Sequence, residues 1–361
     1  MTALVKNIIG VKPASEATET GSPDSVVNFL TVDEESAGQR LDNFLFRHLK
    51  GVPKTHVYRI IRSGEVRINK GRAQAETRIA FRDVLRLPPV RISAHVEENA
   101  ARPAPGRQFP VLLEDDALLG IDKPAGVAVH GGSGVSFGVI EQLRSARPTA
   151  KFLELVHRLD RDTSGILLVA KKRSALTALQ EQFRERETGK TYLALVEGAW
   201  PANKKVLDSP LAKYLLPGKD GAPEAGERRV RVVAKDHPDA MRAVTLVRVL
   251  ARLTLPGDAA PVSLLAVTIK TGRTHQIRVH LASAGHAITG DDKYGESDRQ
   301  RALAKLGLKR MFLHAWRLQF THPASGERVS LQTDLPPELH ALMPPSALDA
   351  LAQHPPPTSH A

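Results

Sequence analysis

The chain of 361 residues contains no cysteine. It can therefore form no disulfide bond, no cysteine-ligated zinc or iron–sulfur centre and no cysteine nucleophile, so covalent chemistry must use oxygen or nitrogen side chains. Long apolar runs are also missing. Stretches such as Ile166–Ala170 are far shorter than the roughly 20 residues that a bilayer requires, and the first residues lack a signal-peptide apolar stretch. The sequence predicts a cytoplasmic protein with no membrane association.

Negative charge is in deficit, because 51 Lys and Arg residues stand against 39 Asp and Glu residues, for a formal net charge of +12. The excess is concentrated in Gly38–Arg91, which contains 13 Lys and Arg residues but only 4 Asp and Glu residues. Such a field favours a polyanionic partner, although a soluble basic surface without a specific partner is the alternative. The hydrophobic fraction of 42% is sufficient for a proper core.

The basic segment has the pattern of two helices followed by two short strands. Apolar residues recur at helical spacing in Leu41–Leu49 and again in Val57–Ile61. Alternation in Val66–Asn69, the turn signal Lys70-Gly71 and the run Val84–Leu87 indicate a small hairpin. Residues 38–91 are therefore predicted to form one compact domain.

This basic domain resembles the S4 domain, an RNA-binding module. The resemblance is carried by Arg40–Leu45 and Ser63–Asn69. It implies phosphate contacts, which supply affinity but little sequence choice. For any one cation, a solvated surface charge remains the alternative. The candidate RNA-binding residues are Arg40, Lys54, Arg59, Arg62, Arg67, Lys70 and Arg72.

The remaining chain is predicted to contain a linker, a larger domain and two loose ends. Residues 1–28 and 353–361 are expected to be disordered. Residues 92–110, in which Pro103, Pro105 and Gly106 lie between polar and charged positions, are predicted to form the linker. From 111 to 340, strand-like and helical runs alternate irregularly and no GxGxxG motif opens a helix. The fold class is therefore α+β, with a mixed, mainly antiparallel sheet in the second domain.

The stretch Val156–Gly165 places two carboxylates, Asp160 and Asp162, among potential cations just before an apolar strand. A carboxylate on such a loop can face a cleft while the sheet holds its backbone, and nearby guanidinium groups would keep it ionised. Taken alone, this pattern also fits an ordinary solvated turn.

A second constellation lies in Lys270–Leu281 and continues to Gly285. Its apolar spacing predicts a helix with Thr274 as the N-cap and Gly285 at the left-handed C-terminal position. Arg278 lies at the edge of the apolar stripe, where an arginine can pair bidentately with a carboxylate or a phosphate. His275 and His280 share no helix face well and no third ligand is evident, so no metal site is predicted.

These two stretches resemble the motifs of the RluA-type pseudouridine synthases. The matching segments are His157–Gly165 and Thr271–His280. Three further segments fit the same family in the same order, namely Asp122–Gly126, Lys190–Val196 and Gly290–Gly295. The resemblance implies an enzyme that isomerises uridine to pseudouridine and needs no metal, redox or nucleotide cofactor.

The resemblance also implies a role for individual residues. Asp160 is expected to be the catalytic aspartate, Arg278 its ionic partner and Tyr192 the aromatic residue that stacks on the target base. Arg158 matches the position that enters the RNA stack as the uridine leaves it. Further substrate contacts are expected from Arg161, Arg273 and His275. Without the resemblance, Tyr192 would be interpreted as a core tyrosine. The sequence does not decide whether Asp160 attacks C1′ or removes the proton from C2′.

The expected partner is 23S ribosomal RNA, free or within a large-subunit assembly intermediate, modified at several positions by a monomeric enzyme. Two alternatives stay open. One is an S4-type RNA-binding or ribosome-assembly protein without catalysis, and the other is a pseudouridine synthase that acts on transfer RNA. Neither tyrosyl-tRNA synthetase motifs nor a glycine-rich methyl-donor loop occurs in the sequence.

Overall fold

The computed structural model describes residues 27–34, 36–49, 52–90, 104–131, 137–216, 228–255 and 257–354. The chain divides into two compact units, and the boundary falls between Pro103 and Ala104, inside the predicted linker. The predicted N-terminal tail up to residue 26, linker residues 92–103 and residues 355–361 lie outside the described residues.

The first unit packs two helices against a four-stranded antiparallel sheet. The helices are α1 (Leu41–His48) and α2 (Lys54–Arg62), as their apolar spacing predicted. The sheet has the order β1 (Asn28–Thr31), β4 (Val84–Leu87), β2 (Arg67–Ile68) and β3 (Gly71–Arg72). Its core is formed by buried aliphatic residues and Phe44.

Strand β1 begins ten residues before the predicted start of this domain at residue 38. It pairs with β4 along its whole length, from Asn28 opposite Leu87 to Thr31 opposite Val84. Asn28 therefore belongs to a sheet and not to a disordered tail. The pairing that places β1 in this sheet is not a local property of the sequence, because its partner strand lies more than fifty residues away.

The second unit is built on a ten-stranded sheet that is mixed and mainly antiparallel, as predicted. Its order is β10-β13-β14-β9-β15-β8-β6-β5, with β16 added to β15 and β7 added to β8. Among the described strands of this sheet, only β8 and β15 pair in parallel. Strands β11 and β12 form a separate two-stranded ribbon. The strands are β5 (Val111–Glu114), β6 (Leu118–Lys123), β7 (Glu154–Leu155), β8 (Ser164–Ala170), β9 (Gly189–Glu197), β10 (Val206–Asp208), β11 (Leu211–Leu215), β12 (Arg228–Val232), β13 (Val244–Thr254), β14 (Pro261–Ile269), β15 (Leu313–Thr321) and β16 (Arg328–Gln332).

Both faces of this sheet are covered. On the central strand β9, Tyr192, Ala194 and Val196 pack into one apolar cluster, whereas Leu193 and Leu195 pack into another. This alternation is the two-residue period of a strand buried on both sides. The helices are α3 (Val139–Ala146), α4 (Arg173–Glu185), α5 (Gln276–Ser283), α6 (Ser297–Lys305), α7 (Pro337–His340) and α8 (Pro345–Ala352).

The second unit continues past its predicted end at residue 340. Helix α8 places Ala347 in the same apolar cluster as Leu193 and Leu195, so the ordered chain extends close to the predicted C-terminal tail. None of the helices among the described residues is both long enough and apolar enough to cross a membrane.

Gly165 fixes the start of β8, directly after the loop that carries Asp160. Its φ is +109°, and a Cβ at this position would lie 2.3 Å from the backbone oxygen of Ala315 on β15. Only glycine allows the parallel pairing of β8 and β15 at this close approach. The geometry of the acidic loop thus depends on a missing side chain.

Replacement Gly165→Ala should lower the free energy of unfolding by about 2–4 kcal/mol, because it adds both an unfavourable φ and a backbone clash. Gly126→Ala is the matched control. Gly126 also has a positive φ of 80°, but nothing lies within 4 Å of its Cβ position, so the cost there should be about 1 kcal/mol. Urea unfolding of both variants measures the difference, and equal costs would contradict the role of the close approach.

Candidate active site

Two segments that are distant in sequence meet at a pocket of about 120 Å³ in the second unit. One is the loop between β7 and β8, and the other is the turn that leads from β14 into α5. Apolar side chains of Ile269 and Leu313 also line the pocket. Of the seven residues predicted for this site, six line it, namely Arg158, Asp160, Tyr192, Arg273, His275 and Arg278.

Arg278 is 3% exposed and forms a bidentate ion pair, but its partner is Asp291 and not Asp160. Its Nε lies 2.8 Å from Oδ2 of Asp291, and its Nη2 lies 2.6 Å from Oδ1. Asp291 is fully buried, and its Oδ1 also accepts hydrogen bonds from the backbone N–H groups of Lys293 and Tyr294. Although burial alone would lower it, the hydrogen bonds to Asp291 hold the pKa of Arg278 above its ordinary value.

Asp160 faces the guanidinium nitrogen that Asp291 leaves free. Its Oδ2 lies 3.7 Å from Nη1 of Arg278 and 3.9 Å from Nε2 of His275, and its side chain is 21% exposed. No described residue donates a hydrogen bond within 3.5 Å to this carboxylate. The carboxylate is thus held near a fixed positive charge while its oxygens remain available to a ligand.

The loop around Asp160 is anchored through its backbone by a buried lysine. Lys123, at the end of β6, is fully buried, and its Nζ donates to the carbonyl oxygens of Pro124 and Val127 (both 2.8 Å) and of Arg161 (3.0 Å). An ammonium has three protons, which matches the three acceptors. Burial and the nearby Arg310 lower the pKa of Lys123 to about 7.

Arg310 holds the other end of the same loop. Its Nη2 donates to the hydroxyl oxygen of Ser164 at 2.8 Å, and that hydroxyl lies 2.9 Å from Nδ1 of the buried His314. Since Ser164 accepts from Arg310, its own proton is available to His314. Burial lowers the pKa of His314 to about 3, so this imidazole is neutral at ordinary pH.

The turn before α5 is fixed by Gln276, not by the predicted N-cap Thr274. Gln276 accepts hydrogen bonds from the hydroxyl of Thr271 and the backbone N–H of Arg273 through Oε1, at 2.7 and 3.1 Å. His275 occupies the N-cap position with a left-handed φ of 53° and makes no side-chain cap. That conformation places the ring in the pocket. Gly285 has the predicted positive φ, at 86°.

His275 connects Asp160 with Tyr294. Its Nδ1 lies 2.9 Å from the hydroxyl of Tyr294, and Arg278 lies over the Tyr294 ring at 5.2 Å. Burial lowers the pKa of His275, as do Arg278 and Lys293, while Asp160 and Asp291 act in the opposite direction. The imidazole is therefore a neutral group beside the Asp160 carboxylate.

Tyr192 lies on β9 and is buried among apolar residues. Burial, with a contribution from the charge of Asp160, raises the pKa of its hydroxyl. The two interpretations of Tyr192 from the sequence, a core tyrosine and a residue at the substrate site, are compatible in this structure. The ring belongs to the core and also lines the pocket.

The remaining predicted substrate contacts are divided between two places. Arg158 and Arg273 are exposed and line the Asp160 pocket. Arg161 does not line it. Its side chain pairs with Asp162 at 3.3 Å and lines a neighbouring groove of about 640 Å³, and its backbone carbonyl accepts a hydrogen bond from Lys123.

The candidate RNA-binding residues of the first unit are also not equivalent. Arg40 is engaged by carboxylates, with Nη2 2.7 Å from the buried Asp42 and 3.3 Å from Glu76, which disfavours a phosphate contact. Lys54 begins α2. Arg67 is half-buried, and the exposed members of the set are Arg59, Arg62, Lys70 and Arg72.

Sequence reasoning assigned no role to Asp291, Tyr294, Lys123 or Arg310. The available signal was the position of the first three within two motifs that resembled the family, but nothing local indicated their partners. Within the described part of the chain, no cluster of three or more His, Asp or Glu side chains could hold a metal ion.

Comparison with known proteins gives a family match for each of the two units. Residues 117–283 match the family of RNA pseudouridylate synthases, and residues 39–85 match the S4 domain. Ribosomal large subunit pseudouridine synthase C of Pasteurella multocida (strain Pm70) is 47% identical over 325 residues, which cover 89% of this chain and 94% of that protein. The protein of the same name from Escherichia coli (strain K12) is 49% identical over 323 residues, covering 88% and 95%.

A solved structure, human RNA pseudouridylate synthase domain containing 4, is 27% identical and superimposes with a TM-score of 0.51, covering 67% of this chain and 93% of that one. Human RNA pseudouridylate synthase domain containing 1 gives the same identity and TM-score, covering 70% and 99%. The matched residues 117–283 contain Asp160, Tyr192 and Arg278.

Replacement Asp291→Asn should destabilise the chain by about 3–5 kcal/mol, because it removes the charge of the one fully buried carboxylate that is paired bidentately with the buried Arg278 guanidinium. Asp292→Asn is the control, since Asp292 is 62% exposed and lies 3.4 Å from the same guanidinium. Its cost should stay below about 1 kcal/mol. Urea unfolding at neutral pH measures both, and a mild Asp291→Asn variant would contradict the assigned partner.

The free energy of unfolding should fall as the pH is lowered from 7 to 4.5. In the unfolded chain, His314 takes up a proton near its ordinary pKa of about 6.5, whereas in the folded chain it stays neutral down to about 3. Its share of the loss at pH 4.5 is about 2–3 kcal/mol. His314→Gln should remove this share, and the exposed His340→Gln should not. Urea unfolding of each variant at pH 7 and at pH 4.5 measures the contribution of His314. Identical pH dependence of the two variants would contradict this contribution.

Proposed function

The chain belongs to the RNA pseudouridine synthase family, as its motifs predicted, and we propose that it isomerises uridines of large-subunit (23S) ribosomal RNA to pseudouridine at several positions. The observation that carries this proposal is the Asp160 carboxylate, which lies 3.7 Å from the buried Arg278 at a pocket lined by Tyr192. The relatives named for ribosomal large subunit activity support the choice of RNA.

We assign the chemical step to Asp160. Isomerisation breaks the N1–C1′ bond, turns the uracil and joins C5 to C1′, after which C5 loses a proton and N1 gains one. An ionised carboxylate can attack C1′ or remove the proton from C2′. Both routes need an oxygen that is charged and not already occupied by a donor. No described donor occupies the Asp160 oxygens, and the Arg278 guanidinium lies 3.7 Å away.

Arg278 is assigned to hold the charge of Asp160. Its guanidinium is oriented by two hydrogen bonds to Asp291, so little reorganisation is needed when a substrate enters. A preorganised charge in a site with little water acts more strongly than the same charge in bulk solvent. Asp291 therefore acts through Arg278 and is a positioning residue.

Tyr192 and Arg158 are assigned to the flipped nucleotide. Because the uracil must leave the base stack to reach Asp160, the pocket has to offer an apolar or aromatic surface in exchange. The Tyr192 ring, with Ile269 and Leu313 beside it, supplies that surface. The exposed guanidinium of Arg158 is suited to the gap left in the RNA, and Arg273 and His275 complete the substrate contacts of this pocket.

The S4 domain is assigned to affinity for the RNA. Its exposed cations lie in a unit separate from the pocket, and phosphate contacts of this kind bind without reading sequence. The alternative of a non-catalytic RNA-binding protein is disfavoured because the residues of the pocket are all present and assembled. The monomeric state, the cytoplasmic location and the absence of a cofactor stay predictions.

The proposal is tested by mapping pseudouridine in 23S ribosomal RNA and in transfer RNA from cells that lack the gene. Complementation with the unaltered gene should restore several sites in 23S RNA. Asp160→Asn should restore none, with activity on purified RNA lowered on the order of 10³-fold or more, because the amide is neither basic nor nucleophilic.

Asp162→Asn is the control for this experiment, since it removes a carboxylate from the same loop outside the pocket. It should still form product. Restored modification by Asp160→Asn would reject the catalytic assignment. Sites that disappear only from transfer RNA would overturn the proposed substrate and leave the chemistry intact.

A further inference from the structure

The outer face of the sheet in the first unit carries one row of aligned side chains. In the strand register, Phe29 on β1 lies opposite Arg86 on β4, Arg86 lies opposite Arg67 on β2, and Arg67 lies opposite Arg72 on β3. The row therefore crosses all four strands, over about 14 Å. We refer to Phe29, Arg86, Arg67 and Arg72 as the outer row.

The alternation of side chains places the outer row on the face away from the core. The neighbouring register pairs, Leu30 opposite Leu85 and Leu85 opposite Ile68, belong to the apolar cluster beneath the sheet. Residues one position along a strand point to the opposite face. Phe29 is accordingly 65% exposed.

The charges of the outer row have no counter-charge within the described chain. Each guanidinium donates one hydrogen bond to a backbone carbonyl: Arg67 to Lys70, Arg72 to Ser63 and Arg86 to Glu65, at 3.3, 3.2 and 3.0 Å. No described carboxylate forms an ion pair with any of the three. An arginine has five N–H donors, so most of them remain available.

The residues of the outer row are unfavourable for the stability of the isolated sheet. Like charges directly opposite each other destabilise a strand pair, and an exposed phenylalanine on the edge strand is an aggregation risk. A ligand that carries regularly spaced negative charge and flat apolar rings would compensate for both. Unpaired RNA has this combination, because phosphates bind arginines and bases stack on aromatic rings.

We propose that the outer row is a platform for a single-stranded segment of the substrate RNA, with one base stacked on Phe29 and phosphates bound by Arg86, Arg67 and Arg72. This inference rests on the proposed function only in taking RNA as the substrate. It adds β1, which lies outside the matched S4 residues 39–85, to the RNA-binding surface. A duplex fits the row less well, because its bases are already stacked on one another.

Tryptophan fluorescence of the full-length chain tests this platform directly. The only two tryptophans, Trp200 and Trp316, are buried, so Phe29→Trp introduces a single exposed indole. A ten-nucleotide single-stranded RNA should quench its emission, and the same strand in a duplex should quench it far less. Phe81→Trp is the matched control, since Phe81 is 51% exposed but lies in the turn before β4.

Affinity gives the second measurement. Phe29→Ala should weaken binding of the single strand about tenfold, as expected for one lost base stack, and Phe81→Ala should leave the affinity unchanged. Arg86→Gln should reduce the slope of log affinity against log salt by about 0.7, the value for one phosphate on a single strand. A urea unfolding transition that matches that of the unaltered chain shows that each variant is folded.

Two outcomes would overturn the platform. One is RNA binding without quenching of the Phe29→Trp emission, which would leave the outer row to a protein partner. The other is equal quenching of the Phe29→Trp and Phe81→Trp variants, which would mean that any exposed aromatic responds. A failure of the proposed function would differ from both, because the unaltered chain would then form no pseudouridine in ribosomal RNA.

Discussion

The buried pair between Arg278 and Asp291 is the interaction on which the pocket depends. Two hydrogen bonds fix the plane of the guanidinium, and the backbone N–H groups of Lys293 and Tyr294 fix the carboxylate in turn. Only Nη1 then faces Asp160. A buried ion pair of this kind adds little net stability compared with apolar side chains of similar volume, although the loss of one partner is costly. Its effect here is geometric, because it holds one positive charge at a defined place near Asp160 while no described donor occupies the Asp160 carboxylate.

The loop that carries Asp160 is held by the same principle. Lys123 and Arg310 bind backbone carbonyls and the Ser164 hydroxyl, while Gly165 lets β8 approach β15. All of these contacts involve the backbone or side chains next to Asp160, and none occupies the Asp160 carboxylate. The loop is thus anchored through these groups, and the Asp160 oxygens stay accessible to a substrate.

The proposed function assigns affinity for RNA and the chemical step to different units of the chain. Cations that can bind phosphate without regard to sequence are concentrated in the first unit, where opposing arginines carry no counter-charge among the described residues. In the second unit, the guanidinium of Arg278, which lies nearest to the Asp160 carboxylate, is held in place by Asp291 and Asp292. Long-range attraction acts over a Debye length of about 8–10 Å and needs no exact placement, whereas catalysis depends on the position of each atom.

The sequence by itself determined the α+β class and the helix pair of the first unit, because apolar periodicity is a local property of the chain. Its short motifs, through their resemblance to the family, also singled out Asp160, Tyr192 and Arg278 as candidate site residues. Tertiary structure alone decided the partner of Arg278, the separation of Arg161 from the pocket and the addition of β1 to the first sheet. Arg278 has three carboxylates within 4 Å, and its spacing in the sequence favours none of them. The choice follows from where the backbone N–H groups of the 291–294 turn hold Asp291, and this position is set only when distant strands pair.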